Sequence, residues 1–131
     1  MIIVYLLSSL KSIINKEDII LHTKGESARD YCYTTDAVRG LFFILMSGDD
    51  GECYNVANED TYCSIREIAE MFCREFNSNS HTVVQLQGGL GYHATTKLKL
   101  STAKLQKLGW QPRVSLREML GRLITSLKEE E

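Results

Sequence analysis

Gly25-Glu26-Ser27-Ala28-Arg29-Asp30-Tyr31-Cys32-Tyr33-Thr34-Thr35-Asp36-Ala37-Val38-Arg39-Gly40 is the stretch on which the fold turns. Thr23 to Ser27 is a polar turn. Arg29 to Tyr33 then has strand-like aromatic content, with Tyr31 and Tyr33 on one face and Asp30, Cys32 and Thr34 on the other. Thr35-Asp36 marks a helix start, its oxygens placed to accept from the free amides of the first turn. The helix predicted over Asp36 to Met46 is apolar almost all round, which implies burial on several sides. Arg29, at the mouth of the strand, offers a planar fork able to hold two phosphate oxygens, which lysine lacks. Tyr31 offers a flat face for a base or sugar and a hydroxyl for its polar edge. From residue chemistry alone, a surface Arg29 paired with a nearby carboxylate is the favoured alternative.

Outward from this stretch, helical and strand patterns alternate. Ile3, Leu6, Leu7, Leu10, Ile13 and Ile14 recur at helical spacing, and Asn15-Lys16 breaks the pattern. Ile19 to His22 reads as a short strand and Cys53-Tyr54-Asn55-Val56 as a buried one. Ser64-Ile65-Arg66-Glu67 fits a capping box ahead of the stripe Ile65, Ile68, Ala69, Phe72 and Phe76. Thr82 to Gln87 is strand-like. Ser101 or Thr102 caps a short helix through Leu108, with Gly109 as its left-handed stop and Pro112 shortly after. Ser115-Leu116-Arg117-Glu118 is a second capping box, opening a helix that presents Leu116, Met119, Leu120, Leu123, Ile124 and Leu127 to a core. Helices interleaved with short strands predict a small α/β (α+β-like) lobe, a single domain over residues 1–131, and not a full doubly wound sheet.

The composition agrees with a globular domain. The 131 residues are 44% hydrophobic with one proline, too apolar for a disordered chain. Fifteen Lys and Arg against seventeen Asp and Glu leave a charge of −2, all of it contributed by Lys128-Glu129-Glu130-Glu131. No basic stripe argues for nucleic acid. The apolar run Ile2 to Leu7 is far shorter than the ~20 residues a bilayer needs and has no basic residue ahead of it. Cys32, Cys53, Cys63 and Cys73 contain no C-x-x-C pair, and His22, His81 and His93 are scattered, so neither zinc nor a disulfide framework is indicated. Buried reduced thiols in a cytoplasmic protein are expected.

Catalytic signals are thin. Gly89-Leu90-Gly91-Tyr92-His93-Ala94 formally matches a dinucleotide-binding turn, but no helix pattern opens there to face a pyrophosphate. No acidic residue follows about 20 positions on to hold a ribose. No tyrosine is followed four residues later by lysine, and neither G-x-S-x-G nor a P-loop occurs. Catalytic residues, resident cofactors and metal ligands are therefore predicted to be none.

The stretch Gly25…Arg29-Asp30-Tyr31-Cys32-Tyr33…Asp36…Gly40 resembles the G…RDY-x-Y-x-x-D-x-x-x-G segment of NAD-dependent epimerases/dehydratases, extended short-chain dehydrogenases/reductases acting on nucleotide sugars. The resemblance continues in register. Gly51-Glu52-Cys53-Tyr54-Asn55-Val56 is similar to the family's G-E-x-Y-N-V strand, and Ser64-Ile65-Arg66-Glu67-Ile68-Ala69 to its S-I-x-E-I-A helix start. Lys104 to Pro112 is similar to its K-x-x-x-L-G-W-x-P ending. The resemblance implies a C-terminal substrate lobe beside a Rossmann domain, with a nucleotide-sugar in the cleft between them. It gives Arg29 the contact to the diphosphate and Tyr31 a place near the nucleoside. Asp36 then serves as the cap of its helix, and Asn55, Gly109 and Trp110 are structural.

Two departures qualify that expectation. The glycine-rich cofactor motif and the Y-x-x-x-K pair do not occur here, so the resemblance implies NAD and hydride transfer for a full-length relative and none for this chain. A piece of an enzyme, or a naturally truncated product, is expected. The family's second phosphate-binding arginine also has no counterpart around Gly91 to Ala94; Lys97 or Lys99 could stand in only as point charges. The expectation is a nucleotide-sugar-binding lobe that is inactive alone. The alternative is a non-enzymatic protein-interaction module or inert fragment. Apolar helix faces left exposed predict self-association, with Ile2 to Leu10 as the first candidate.

Overall fold

A computed structural model describes residues 2–77, 79–86 and 95–129, with side chains from residue 8 onward. Along the chain run α1 (Ile2–Ile14), β1 (Ile19–Leu21), β2 (Ala28–Tyr31), α2 (Thr34–Ser47), β3 (Asn58–Ser64), α3 (Ile65–Phe76), β4 (Thr82–Val84), β5 (Lys97–Leu98), α4 (Ala103–Lys107) and α5 (Leu116–Glu129). This is a mixed α/β architecture of short strands and helices. It divides into two compact units, one gathering the chain up to Ser27, Cys63–Lys97 and the part from Leu120 on, the other Ala28–Tyr62 and Leu98–Met119.

In the first unit α1 stops where Lys16 turns to a φ of 62°. Leu10 and Ile13 bury their side chains as α1 packs on α3 and β1. Ile2 to Leu7, most of the stretch expected to be an exposed face, lies outside the described side chains, and Leu10 is fully buried. β1 runs parallel to β4, pairing Ile19 with Thr82 and Leu21 with Val84. The strand predicted to reach Gln87 thus ends at Val84, and Gln87 itself lies outside the described residues. α3 buries Ile68, Ala69, Phe72 and Cys73, the helical stripe read from sequence. Its capping box is complete: Glu67 N donates to Ser64 Oγ (3.2 Å), and Ser64 N donates to the Glu67 carboxylate (2.6 Å). Gly25, at a φ of +69°, directs its carbonyl to Arg66 N at 3.0 Å and so ties the turn to the start of α3.

The second unit holds most of a three-stranded sheet ordered β3-β2-β5. Its core is anchored by fully buried Trp110 and Leu105. Gly40 of α2 lets that core close, because a Cβ there would lie 3.0 Å from Val56 Cγ1 and 3.3 Å from Trp110 Nε1. Gly109, at a φ of +95°, stops α4 as expected.

Several expectations need correction. α2 begins at Thr34, two residues ahead of the predicted Asp36, and no side chain caps it. It is not buried on several sides: Asp36 and Gly40 are its buried positions, and a whole apolar face stands in solvent. Cys53 to Val56 is not a strand. Among the described residues no neighbouring strand pairs with it, and side chains serve it instead: Lys104 Nζ donates to Cys53 O, and Asn55 Nδ2 donates to Ser101 O. Of the two cap candidates for α4, Thr102 holds the cap position but its hydroxyl donates to Glu59 at 2.7 Å, while Ser101 Oγ accepts from Ala103 N at 3.4 Å. The cysteines are free, but only Cys73 is buried, and Cys53 is exposed. In α5, Leu120 and Ile124 are buried while Leu116, Met119, Leu123 and Leu127 are half-buried.

Candidate functional site

β2 displays Arg29 and Tyr31 two residues apart, hence on one face of the strand. Three backbone-linked contacts fix its position. Tyr31 N donates to Thr61 Oγ1 at 2.7 Å. That hydroxyl lies 2.7 Å from both Tyr31 O and Asn58 O, so its single proton serves two carbonyls. On the other face of β2, Asp30 Oδ2 accepts from Leu100 N at 2.5 Å. The strand is therefore held through Asp30 and Thr61 while the Arg29 side chain stays uncommitted. Arg29 Nε is buried without a hydrogen-bond partner, and among the described residues the guanidinium makes no ion pair. Among the described residues, the carboxylate partner favoured by residue chemistry alone is not paired with Arg29. A buried N–H left unmade costs about 1–3 kcal/mol, which an anionic partner would relieve.

Lys99, one of the two stand-in cations, sets its Nζ 5.5 Å from the centre of the Tyr62 ring. Lys97, in β5, is exposed. Glu59 accepts from Thr102 N and Thr102 Oγ1, both at 2.7 Å. Those two hydrogen bonds, with the Lys99 charge, hold the Glu59 carboxyl below its ordinary value.

Asp36 is the residue whose role the sequence reading missed. Instead of capping α2 it is 1% exposed and faces the loop after α4. Its Oδ2 accepts from Arg113 N (2.8 Å) and Val114 N (2.9 Å), and its Oδ1 accepts from Arg39 at 2.9 Å. Burial raises its pKa, but the two backbone donors and the guanidinium outweigh burial and hold the carboxyl below its usual range. Its main-chain oxygen also accepts from Trp110 Nε1 at 3.1 Å. Its backbone partners stand 77 and 78 residues away in sequence, so no local pattern marked the role.

Gly89 to Ala94 lies outside the described residues, and the first described element after it is β5, a strand of two residues. Among the described residues no group of three or more His, Cys, Asp or Glu could hold a metal ion. Nor is any described helix long and apolar enough to cross a membrane.

This architecture is that of short-chain dehydrogenase/reductase-type epimerases and dehydratases. The UDP-glucose 4-epimerase of Thermotoga maritima, solved with UDP-glucose, superposes with a TM-score of 0.78 at 22% identity, over 95% of this chain and 39% of that one. By sequence, the model of the NAD dependent epimerase/dehydratase family matches residues 4–57. UDP-glucuronic acid decarboxylase 5 of Arabidopsis thaliana is 32% identical over 104 residues, 79% of this chain and 29% of that protein. The dTDP-D-glucose 4,6-dehydratase of Mus musculus is 26% identical over 105 residues, 75% of this chain and 28% of that protein. The chain thus matches the NAD dependent epimerase/dehydratase family model and part of such enzymes, spanning less than a third of these two relatives.

Proposed function

We propose that this chain is the nucleotide-sugar-binding part of an NAD-dependent sugar epimerase or dehydratase, with Arg29 contacting the diphosphate and Tyr31 lying against the nucleoside. The uncommitted guanidinium of Arg29 carries this reading. A planar cation with a buried, unmatched N–H is matched to the paired oxygens of a diphosphate. Lys99 adds a second positive charge, though as a point charge it orients a ligand less. The chain binds without turning substrate over, because its sequence holds neither the tyrosine–lysine pair nor the glycine-rich motif that the family's chemistry uses.

The test is an NMR titration of the full chain with UDP-, GDP- and dTDP-sugars. Resonances of Arg29 and Tyr31 should shift with at least one of them, and Arg29→Ala should weaken that response at least tenfold, with Arg29→Lys intermediate. Silence toward all three classes at millimolar ligand overturns the proposal. A second reading, a protein-interaction module, is favoured by the exposed apolar face of α2. It expects that silence together with a stable complex with another polypeptide.

A further inference from the structure

Both main-chain polar groups of Tyr31, the last residue of β2, meet the hydroxyl of one buried threonine. Tyr31 N donates to Thr61 Oγ1, and that oxygen lies 2.7 Å from Tyr31 O. The end of β2 is thus fastened to β3 through a side chain. Thr61 is 2% exposed, and its β-branched side chain is restricted at χ1, so the hydroxyl is held in place. Asn58 supports it from behind. Its main-chain oxygen lies 2.7 Å from the same hydroxyl, its Nδ2 donates to Val114 O at 3.1 Å, and its Oδ1 accepts from Asp60 N at 3.1 Å. Asn58 is buried too, so this relay from Val114 to Tyr31 runs through the interior of the second unit. Its geometry is set within that unit and not by whatever covers the outer surface.

We propose that Thr61 is a positioning residue for Tyr31: its hydroxyl fixes where β2 ends, and so where the Tyr31 ring stands against a bound nucleoside. The inference rests on the nucleotide-sugar reading and adds to it the residue that sets the nucleoside contact. A side chain contributes fully to binding only while its supports hold it within about 0.5 Å of the productive place. Arg29 stands two residues further from this fastening, and Asp30 secures the strand between them through Leu100 N. Loss of the Thr61 hydroxyl therefore acts on the nucleoside end of the ligand and spares the diphosphate end. Thr61→Val removes the hydroxyl at nearly constant volume, and Thr61→Ser keeps it.

The test is an NMR titration of the full chain with UDP-, GDP- and dTDP-sugars and, separately, with inorganic pyrophosphate. Pyrophosphate can engage Arg29 but offers Tyr31 neither base nor sugar. Thr61→Val should weaken the sugar nucleotide that the wild type takes about tenfold and leave pyrophosphate within about twofold, and Thr61→Ser should restore the first. Val114→Ala, which opens a cavity in the same unit but keeps every hydrogen bond of the relay, should change neither affinity. In the ligand-free wild type the Tyr31 amide should exchange at least about tenfold more slowly than in Thr61→Val. Silence of the wild type toward every sugar nucleotide overturns the nucleotide-sugar reading, and this inference with it. A wild-type response that Thr61→Val leaves unchanged, a loss shared equally by pyrophosphate, or the same loss in Val114→Ala overturns this inference alone. So does a Tyr31 amide that exchanges in the wild-type chain as fast as an unprotected one.

Discussion

Asp36 and Val114 stand 78 residues apart in sequence, and the carboxylate of the first accepts the backbone N–H of the second at 2.9 Å inside the second unit. With the N–H of Arg113 at 2.8 Å on the same oxygen, one buried side chain fastens the first turn of α2 to the loop after α4. Asp36→Ala leaves two backbone donors unmatched and a void, and should cost about 3–5 kcal/mol. Asp36→Asn keeps one acceptor oxygen but turns an amide toward a donor, and should cost about 1–3 kcal/mol. Urea unfolding measures both; equal costs for the two variants would show that the carboxylate oxygens are not the fastening.

The same carboxyl makes stability depend on pH in a defined direction. Two backbone donors and Arg39 outweigh burial and hold its folded pKa below the ordinary 3.8. A carboxyl depressed by folding contributes stability that is fully present above its unfolded value and is lost as pH falls through its folded value. Glu67, held down by the Ser64 backbone and side chain, acts in the same direction. The urea midpoint should therefore decline as pH is lowered from about 5 toward 2, and Asp36→Asn should flatten that decline. An unchanged slope in the variant would assign the acid sensitivity to other groups.

Local signals were legible where the chemistry is local. The serine–glutamate pair at Ser64 and Glu67, the glycine stop at Gly109 and the stripe of α3 are all where the pattern puts them, because each depends on residues within one or two helical turns. Elements that depend on distant partners were misread. Cys53 to Val56 has the composition of a strand but finds no ladder partner among the described residues, and α2 has the composition of a buried helix with one face uncovered. Burial needs something to cover the surface, and periodicity does not say whether it is there. For the site, the residue types of Arg29 and Tyr31 were readable, whereas the absence of an ion pair to Arg29 among the described residues is a property of the fold.

Thiol reactivity should separate the cysteines by environment. Burial, aided by the charge of Asp36, pushes the Cys32 thiol up to about 11, so at pH 8 almost none of it is thiolate. Cys73 is buried on the core face of α3, and Cys53 is exposed. With Ellman's reagent at pH 8 the native chain should give a fast phase that Cys53→Ser abolishes, half-buried Cys32 and Cys63 should react more slowly, and Cys73 only on unfolding. A fast phase that persists in Cys53→Ser would assign the fastest thiol to a half-buried cysteine and show that exposure does not rank them.

Gly25 and Gly51 offer a controlled comparison of strain with strain plus contact. Both hold a positive φ, +69° and +76°, which an L side chain adopts at a cost of about 1–2 kcal/mol. Around Gly51 an added Cβ meets nothing within 4 Å. At Gly25 it would stand 3.0 Å from Arg66 N, 3.1 Å from Arg66 Cβ and 3.2 Å from Leu21 Cδ1. Two of those three atoms belong to the first turn of α3, where the Gly25 carbonyl accepts from Arg66 N, so relief by movement stretches that hydrogen bond. Gly51→Ala should therefore cost about 1 kcal/mol, and Gly25→Ala about 2–4 kcal/mol. The added loss should fall on the join between the turn and α3, read as faster amide exchange at Arg66 in Gly25→Ala and not in Gly51→Ala. Equal destabilisation by the two substitutions would reduce the Gly25 contact to backbone strain alone.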